Sequence, residues 1–456
     1  MRVLSVASPR GGDWSATPDR HREDVELGGI RVTGLLRAAV WLLIIGNVGR
    51  IPFLDMGTRQ APLLLNDLAI GVVLVAGAMV SLRLRSLKLN DVVLAATVFI
   101  AIGALSAVSA IPRFGISSME LVASLAYLAR WVFYLGVYVV VINHVRNSDA
   151  RGLWSALEGA LLLLAAFGIV QAIFLPNFAF IVYPETGAGT TEWDVQRNRL
   201  VSTILEPNVA AGMIVVVLLG QIARLAFGAK TALWKPILLF AALAMTLSRS
   251  GALAFAIGVL IIVLVRGLSK RVMRFFAIVS GLLLLSLPRL IEFASEYHRF
   301  GVSDGSAMAR VEAWRRAIIT FVEHPWFGIG FNTYGYVQER MGFPRASAAS
   351  YSTEGGLLFI AVMTGVVGLV VYLVMLWLVL RRCRRGWRDP RSTPSERSIF
   401  VGTAAATIAI LVQSVFVNSL LVPFVMEALW LLWGLTFLAD RAVRMREFAG
   451  AKVLAA

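Results

Sequence analysis

Apolar runs long enough to cross a bilayer recur along almost the whole chain. A helix needs about 20 predominantly apolar residues, with a range of roughly 17–25, to span a hydrocarbon core. Such runs lie near 38–54, 62–81, 91–112, 119–142, 153–175, 208–227, 233–248, 250–266, 273–292, 355–380, 399–418 and 421–439. The seventh and eighth are short and nearly fused through Ser248–Gly251. The composition agrees: 58% of residues are hydrophobic and 15% charged, against about 45–50% and about 25% in soluble domains. The bilayer therefore dictates the fold. The fold class expected is an all-α polytopic membrane protein of about 12 transmembrane helices, with short amphipathic helices in a large outer loop.

Lys and Arg in the connections set the orientation. The N-terminal tail carries Arg2, Arg10, Arg20, Arg22, Arg31 and Arg37. Alternate connections add Arg83, Arg85 and Lys88, then Arg146 and Arg151, then Arg224, Lys230 and Lys235, then Arg266, Lys270, Arg271 and Arg274. The stretch "RRCRRGWRDPRSTPSER" and the tail residues Arg441, Arg444, Arg446 and Lys452 complete 29 of the 43 basic residues on one side. That side is cytoplasmic by the positive-inside rule. The +16 net charge is thus a topology signal, and nucleic-acid binding is not expected. Residues 1–37 form a cytoplasmic basic tail, 38–292 the first nine spans, 293–354 a large outer loop, 355–440 the last three spans and 441–456 a second cytoplasmic tail. A second long connection, 176–207, is also outside. The tail Met1–Arg37 has no apolar segment followed by a small-residue cleavage site, so it does not read as a signal peptide. All five lysines fall inside, and every outer cation is arginine, the residue suited to bidentate phosphate binding.

Cys383 is the one cysteine, which excludes an intramolecular disulfide and a multi-cysteine metal site. His21, His144, His298 and His324 lack ligand spacing, so neither a metal nor a cofactor is expected.

The outer loop contains "ARVEAWRRAIITFVEHPWFGIGFNTYG", from Ala309 to Gly335. With Ser306 as N-cap, a helix over 308–323 places Val311, Trp314, Ala317, Ile318, Phe321 and Val322 on one apolar face. Arg310 projects with that face, while Glu312, Arg315, Arg316 and Glu323 lie opposite. Pro325 ends the helix, and "GIGFN" makes a glycine-permitted turn. Two readings stay open: a site element with Arg310 turned inward, or an interfacial helix resting on the bilayer.

Three further stretches share the outer level. "RNRLVSTILEPNVAAG" places Arg197 and Arg199 before Asn208, "TLSRSG" places Arg249 between two spans, and "YSTEGGLLFIAVMTGVVG" places Glu354 at the mouth of the tenth. Together these stretches resemble the O-antigen ligase and polymerase superfamily of membrane glycan transferases. The matching residues are Arg199 with Pro207 and Asn208; Ser248, Arg249 and Gly251; Arg310 and Trp314; His324, Pro325, Gly328 and Gly330; and Gly365 with Gly368. The resemblance covers roughly 195 to 380. One departure stands out: where the ligases of the family place a His about eleven residues before the first glycine of Gly–x–x–Gly, this chain has Glu354.

The resemblance implies a polyprenyl-diphosphate-linked glycan donor and a glycan or lipid-linked glycan acceptor at the outer face of a bacterial inner membrane, with membrane lipid and a chain-length regulator as further partners. Such chemistry needs cations that hold the leaving diphosphate and a base for the acceptor hydroxyl. Arg249 and Arg310 are the candidate cations, with Arg199 third and Arg197 beside it. Glu354 is the candidate base, with Glu206 and Asp194 in reserve, and Asn208 and Trp314 complete the substrate-binding set. Glu354 reads equally as a solvated residue at a helix N-terminus. Asp67, Arg130, Glu158 and Glu427 lie inside spans, where ionisable groups face a partner or a cavity. Arg130 reads as an ion pair with Asp67 or Glu158, or as part of the lipid-carrier path. Competing classes are a glycolipid transporter or flippase, which would bind substrate near the midplane around Arg130, and a structural scaffold. Within the transferase class the missing His favours a polymerase over a ligase.

The topology is directly testable. Arg340→Cys, in a Cys383→Ala background, is expected to react with a membrane-impermeant thiol reagent added from outside. Labelling only after the inner membrane is permeabilised would invert the assignment.

Overall fold

The computed structural model describes residues 31–55, 60–84, 87–182, 199–282, 284, 305–342, 353 and 355–454. It begins with α1 (Val32–Trp41), then a hairpin of β1 (Arg50–Asp55) and β2 (Gln60–Leu64). Helices α2 (Leu65–Leu84), α3 (Asp91–Phe114), α4 (Ser118–His144), α5 (Ala150–Phe174) and the short α6 (Phe178–Val182) follow. Next come α7 (Pro207–Ala226), α8 (Trp234–Met245), α9 (Arg249–Arg266) and α10 (270–282). Then come α11 (Gly305–Glu323) and α12 (Tyr334–Arg340), and α13 (Gly356–Arg388), α14 (Pro394–Gln413) and α15 (Pro423–Leu454) close the chain.

Among the described residues the apolar runs are overwhelmingly helical, so the protein is an all-α polytopic membrane protein. Among the described residues nine helices are long and apolar enough to cross a membrane, and α1 and α8 are shorter. Helix α7 is apolar around its whole circumference and buried from Val209 to Ala223, the pattern of a central helix. Small residues let its neighbours approach. A Cβ on Gly220 would lie 2.3 Å from the Trp154 ring, and one on Gly212 would lie 2.6 Å from Gln413 Oε1. Helices α9, α14 and α15 pack around α7, with α3 against α13 and α4 against α15.

The first run, read as a span over 38–54, departs from expectation. Its apolar helix ends at Ile44, and Arg50–Asp55 and Gln60–Leu64 form antiparallel strands, pairing Arg50 with Leu64 and Pro52 with Pro62. Pro52 lacks the N–H a continuing helix needs. Gly46 (φ +55°) makes the corner, and a Cβ there would meet Thr203 O at 2.5 Å. The eleventh run, read as 399–418, stops at Gln413 and leaves a turn up to Pro423. Helix α11 begins at Gly305, so Ser306 lies inside its first turn and is not the cap. Helix α15 continues through the residues read as a tail.

Helix α13 is broken at Gly365 (φ +68°, ψ −171°). A break there releases the carbonyls of Val362 and Met363 and the N–H groups of Val366 and Val367, which in a continuous helix would pair with one another. All four are taken up by the loop after α11. Ile329 N donates to Val362 O (2.9 Å) and Gly330 N to Met363 O (3.2 Å). Val366 N donates to Pro325 O (2.7 Å) and Val367 N to Trp326 O (3.4 Å). The His–Pro–x–x–Gly–x–Gly stretch is therefore a backbone plug inserted into α13. Helix α3 fastens it: Ser106 Oγ donates to Phe327 O and to Met363 O, both at 2.7 Å, and Arg113 Nη1 donates to Gly328 O at 2.9 Å.

Glycine is required on both sides of this seam. A Cβ on Gly365 would sit 2.1 Å from Trp326 O, and one on Gly328 (φ +67°) 2.3 Å from Val362 O. Gly342 (φ +81°) has open space around it, so Gly342→Ala carries only the cost of a left-handed L-residue, about 1–2 kcal/mol. Gly365→Ala and Gly328→Ala carry that cost plus a backbone clash, and are expected to lower the midpoint of thermal unfolding in detergent well below that of Gly342→Ala. Equal midpoints for the three variants would contradict the plug.

Candidate functional site

The turn from Arg199 to Glu206 is held by polar contacts from three helices or their ends. Gln171 Oε1 accepts from Val201 N and Ser202 N, each at 3.0 Å, and Ser202 Oγ donates to Leu164 O at 2.8 Å. Asn47 Nδ2 donates to Ile204 O at 2.7 Å. Arg199 Nε donates to Thr246 O at 2.9 Å, tying the turn to the corner before α9.

Glu206 is the N-cap of α7. Its carboxylate accepts from Val209 N, and from Asn208 Nδ2 at 2.9 Å. Asn208 Oδ1 in turn accepts from Ser248 Oγ at 2.8 Å, the cap of α9. The backbone there is strained: among the described residues Ser202, Leu205, Leu247 and Asn332 are the non-glycine residues with positive φ. Three of them flank Glu206 or Ser248. Such positions cost about 1–3 kcal/mol each and cluster at functional sites.

Arg249 opens α9 with its side chain exposed. The first turn of a helix is the positive end of its dipole, so this guanidinium sits where a cation is least favoured. No hydrogen bond or ion pair holds it among the described residues. A helix N-terminus and an unpaired guanidinium together select an external anion.

The second arm of the site is α11. Arg310 is half-buried, and its Nε is enclosed without a partner among the described residues. Trp314, one turn on, packs on Phe416 with ring centroids 6.2 Å apart. Thr353 Oγ1 donates to Ala313 O at 3.2 Å, Asn418 Nδ2 donates to Thr353 O at 2.8 Å, and Gly356 N donates to Ser414 O at 2.5 Å. These contacts set Thr353 and Gly355 against the Ala313–Trp314 turn. Glu354 itself, with Arg197 and Asp194, lies outside the described residues.

The two arms meet on the turn after α14. Gln413 Nε2 donates to Asn208 O at 2.8 Å, and Gln413 Oε1 accepts from Ser419 Oγ at 3.0 Å. A chain of polar contacts thus runs from Ser248 through Asn208 and Gln413 into the 414–419 turn, and on through Asn418 and Thr353 to α11. Gln413, Asn418 and Thr353 were not among the expected site residues. The one available signal was a glutamine and an asparagine at the outer end of an apolar run.

The expected phase of α11 holds in part. Ala317 is buried, but Val311, Ile318 and Val322 are exposed. Thr320 takes their place inside, donating to Arg316 O at 2.9 Å and accepting from Gln338 Nε2 at 3.2 Å. Arg315 is exposed as expected, while Arg316 is half-buried, and both pair with Glu312. Arg130 stands apart from the outer residues, in an ion pair with Asp67 at 3.0 Å. Glu158 pairs with Lys235 at 2.5 Å, and Glu427 with Asn66.

His324 touches Arg113, whose Nη2 lies 3.2 Å from Nδ1. A guanidinium only donates, so Nδ1 accepts, and the neutral ring carries its proton on Nε2. Burial and the Arg113 charge hold this imidazole below its ordinary pKa. With Nδ1 occupied and Nε2 protonated, His324 serves the plug and has no free lone pair for a base.

Burial pushes the Glu206 carboxyl above its ordinary value, although the residue as a whole is only half-exposed; the Val209 and Asn208 N–H groups and Arg199 oppose the shift. A carboxyl with a raised native pKa binds more protons folded than unfolded between 4.5 and the raised value, so its contribution to stability falls as pH rises through that window. Glu206→Gln keeps a carbonyl to cap α7 and removes the titration. The stability difference, variant minus wild type, is expected to grow from pH 4.5 towards neutrality in thermal unfolding. A pH-independent difference would show that Glu206 titrates normally.

A family model described as O-antigen ligase matches residues 236–373, from α8 through the plugged part of α13. No curated protein matches the chain.

Proposed function

We propose that this chain, which carries an O-antigen ligase domain over residues 236–373 and is in general terms a membrane glycan transferase, polymerises a surface polysaccharide from polyprenyl-diphosphate-linked units. The observation that carries the reading is the pair of arginines without a partner among the described residues, Arg249 at a helix N-terminus and Arg310 with its Nε enclosed, on two arms joined through Gln413.

The acceptor hydroxyl oxygen bonds to the anomeric carbon of the donor as the bond from that carbon to the diphosphate oxygen breaks. The acceptor proton passes to the Glu354 carboxylate. The electron pair leaves with the diphosphate, whose growing charge Arg249 and Arg310 stabilise, with Arg199 and Arg197 behind them. Fixed guanidinium charges do the work a divalent ion would do, so the reaction is metal-independent. Glu206 and Asn208 shape the floor, and Trp314 offers a sugar-stacking face. Glu354 at the position of the ligase histidine favours growth of the glycan over transfer to lipid A core. The flippase alternative is weakened because its central residue, Arg130, is held by Asp67.

The assay is glycan extension by purified protein in nanodiscs, with polyprenyl-diphosphate-linked repeat units and added chelator. Arg249→Lys and Arg310→Lys keep the charge and lose the bidentate fork, and each is expected to cost on the order of 2–4 kcal/mol of transition-state stabilisation. Glu354→Gln is expected to stop turnover while donor binding persists. Full activity in Glu354→Gln removes it as the base, and loss with chelator restored by a divalent ion overturns the metal-free mechanism. Wild-type activity in both Arg249→Ala and Arg310→Ala defeats the site.

A further inference from the structure

Past the plug, α13 turns one face outward for the rest of its length. The exposed residues are first Val370, Leu373, Val374 and Trp377. They are followed at the same helical phase by Arg381, Arg384, Arg385 and Arg388. Each position lies three or four residues from another of the set, with 373/374 and 384/385 adjacent, so the eight form a single stripe. It is apolar above and cationic below.

The arginines of this region divide sharply. Arg382 points inward, donating to Asp91 and to Tyr138, both at 2.8 Å. Arg391 pairs with Asp389 and Glu447, Arg444 with Asp440, and Arg446 with Glu396. The four arginines of the stripe have no hydrogen bond or ion pair among the described residues. Arg381 rests over the exposed Trp377 ring, 5.2 Å from its centroid, inside the limit of about 6 Å for a cation–π contact.

A lipid-facing apolar stripe fixes the depth at which its cationic continuation emerges. Trp377 has the character of an interfacial anchor, and the arginines below it cover about 10 Å of helix, the thickness of a headgroup layer plus the reach of a snorkelling side chain. We propose that Arg381, Arg384, Arg385 and Arg388 form a binding site for anionic phospholipid headgroups on the membrane face where α13 ends, the cytoplasmic one on the expected topology. The ligand class is the phosphodiester of a bilayer lipid, held by the positive charge along one helix face, with its acyl chains lying along Val370–Trp377. The inference is independent of the transfer chemistry.

The test uses the full-length protein in phosphatidylcholine nanodiscs with and without phosphatidylglycerol, with retained lipid identified by native mass spectrometry. The wild type is expected to retain phosphatidylglycerol selectively and to unfold at a higher temperature when it is present. In Arg384→Ala/Arg385→Ala/Arg388→Ala the preference is expected to fall on the order of 100-fold, at about one kcal/mol per cation. The same triple change to Lys is expected to keep most of it. Unchanged unfolding of the Ala variant in pure phosphatidylcholine shows that the fold is intact. If that variant retains phosphatidylglycerol as the wild type does, the proposal fails. It also fails if inorganic pyrophosphate displaces the lipid completely at equal concentration, since the site would then be one for soluble phosphates.

Discussion

The exchange of backbone hydrogen bonds at Gly365 is the contact on which the outer half of the molecule depends. A helix interrupted within a bilayer strands carbonyl and N–H groups in a medium that offers no water, at several kcal/mol for each group. Here the loop Pro325–Gly330 presents two carbonyls and two N–H groups at the matching positions. Because the pairing is main chain to main chain, it needs close approach more than particular side chains. That explains why glycines stand on both sides of it. The plug also fixes where α11 ends, the helix that carries Arg310 and Trp314.

The candidate site follows from a second constraint, the satisfaction of helix ends. Helices α7 and α9 both start at the outer level, and their caps, Glu206 and Ser248, are joined through the one side chain of Asn208. Gln413 then closes on the Asn208 carbonyl from α14. A network with each member satisfied is rigid, and that rigidity offsets the left-handed backbone at Leu205 and Leu247. Beyond it, Asn418 Oδ1 and Arg310 Nε are left without a hydrogen-bond partner among the described residues.

The helices were legible in the sequence because hydrocarbon permits little else. The 3.6-residue phase of Arg310 with Trp314 was legible as well. The strand pair was not: it cuts into two apolar runs that each read as a span, and Gly46, Arg50, Pro52, Asp55, Gln60 and Pro62 were the signals against a continuous helix. The exposure of Val311, Ile318 and Val322 also escaped sequence reasoning, since an apolar face on an outer helix is drawn to protein and to lipid by the same physics. The motif glycines were visible, but no spacing rule says that Gly328 and Gly365 face one another across a seam. Gln413 was hidden because a polar residue near a span's end is ordinarily read as interface.

Partnership sorts the arginines where position alone does not. Arg113, Arg130, Arg340 and Arg382 each meet a carboxylate, a carbonyl or an imidazole of this chain, and their charge is consumed in holding helices together. Arg249 and Arg310 at one membrane face, and the α13 stripe at the other, have no such partner among the described residues. An arginine's charge is not relieved by deprotonation, so a guanidinium left without a carboxylate is balanced only by solvent or by an anion brought to it. The α13 stripe lies beyond Trp377, while Arg310 lies on α11, the helix that leads into the plug. Helix α13 therefore joins the plug to the proposed lipid stripe, and at Gly365 its direction is set by the main-chain pairs with Pro325–Gly330.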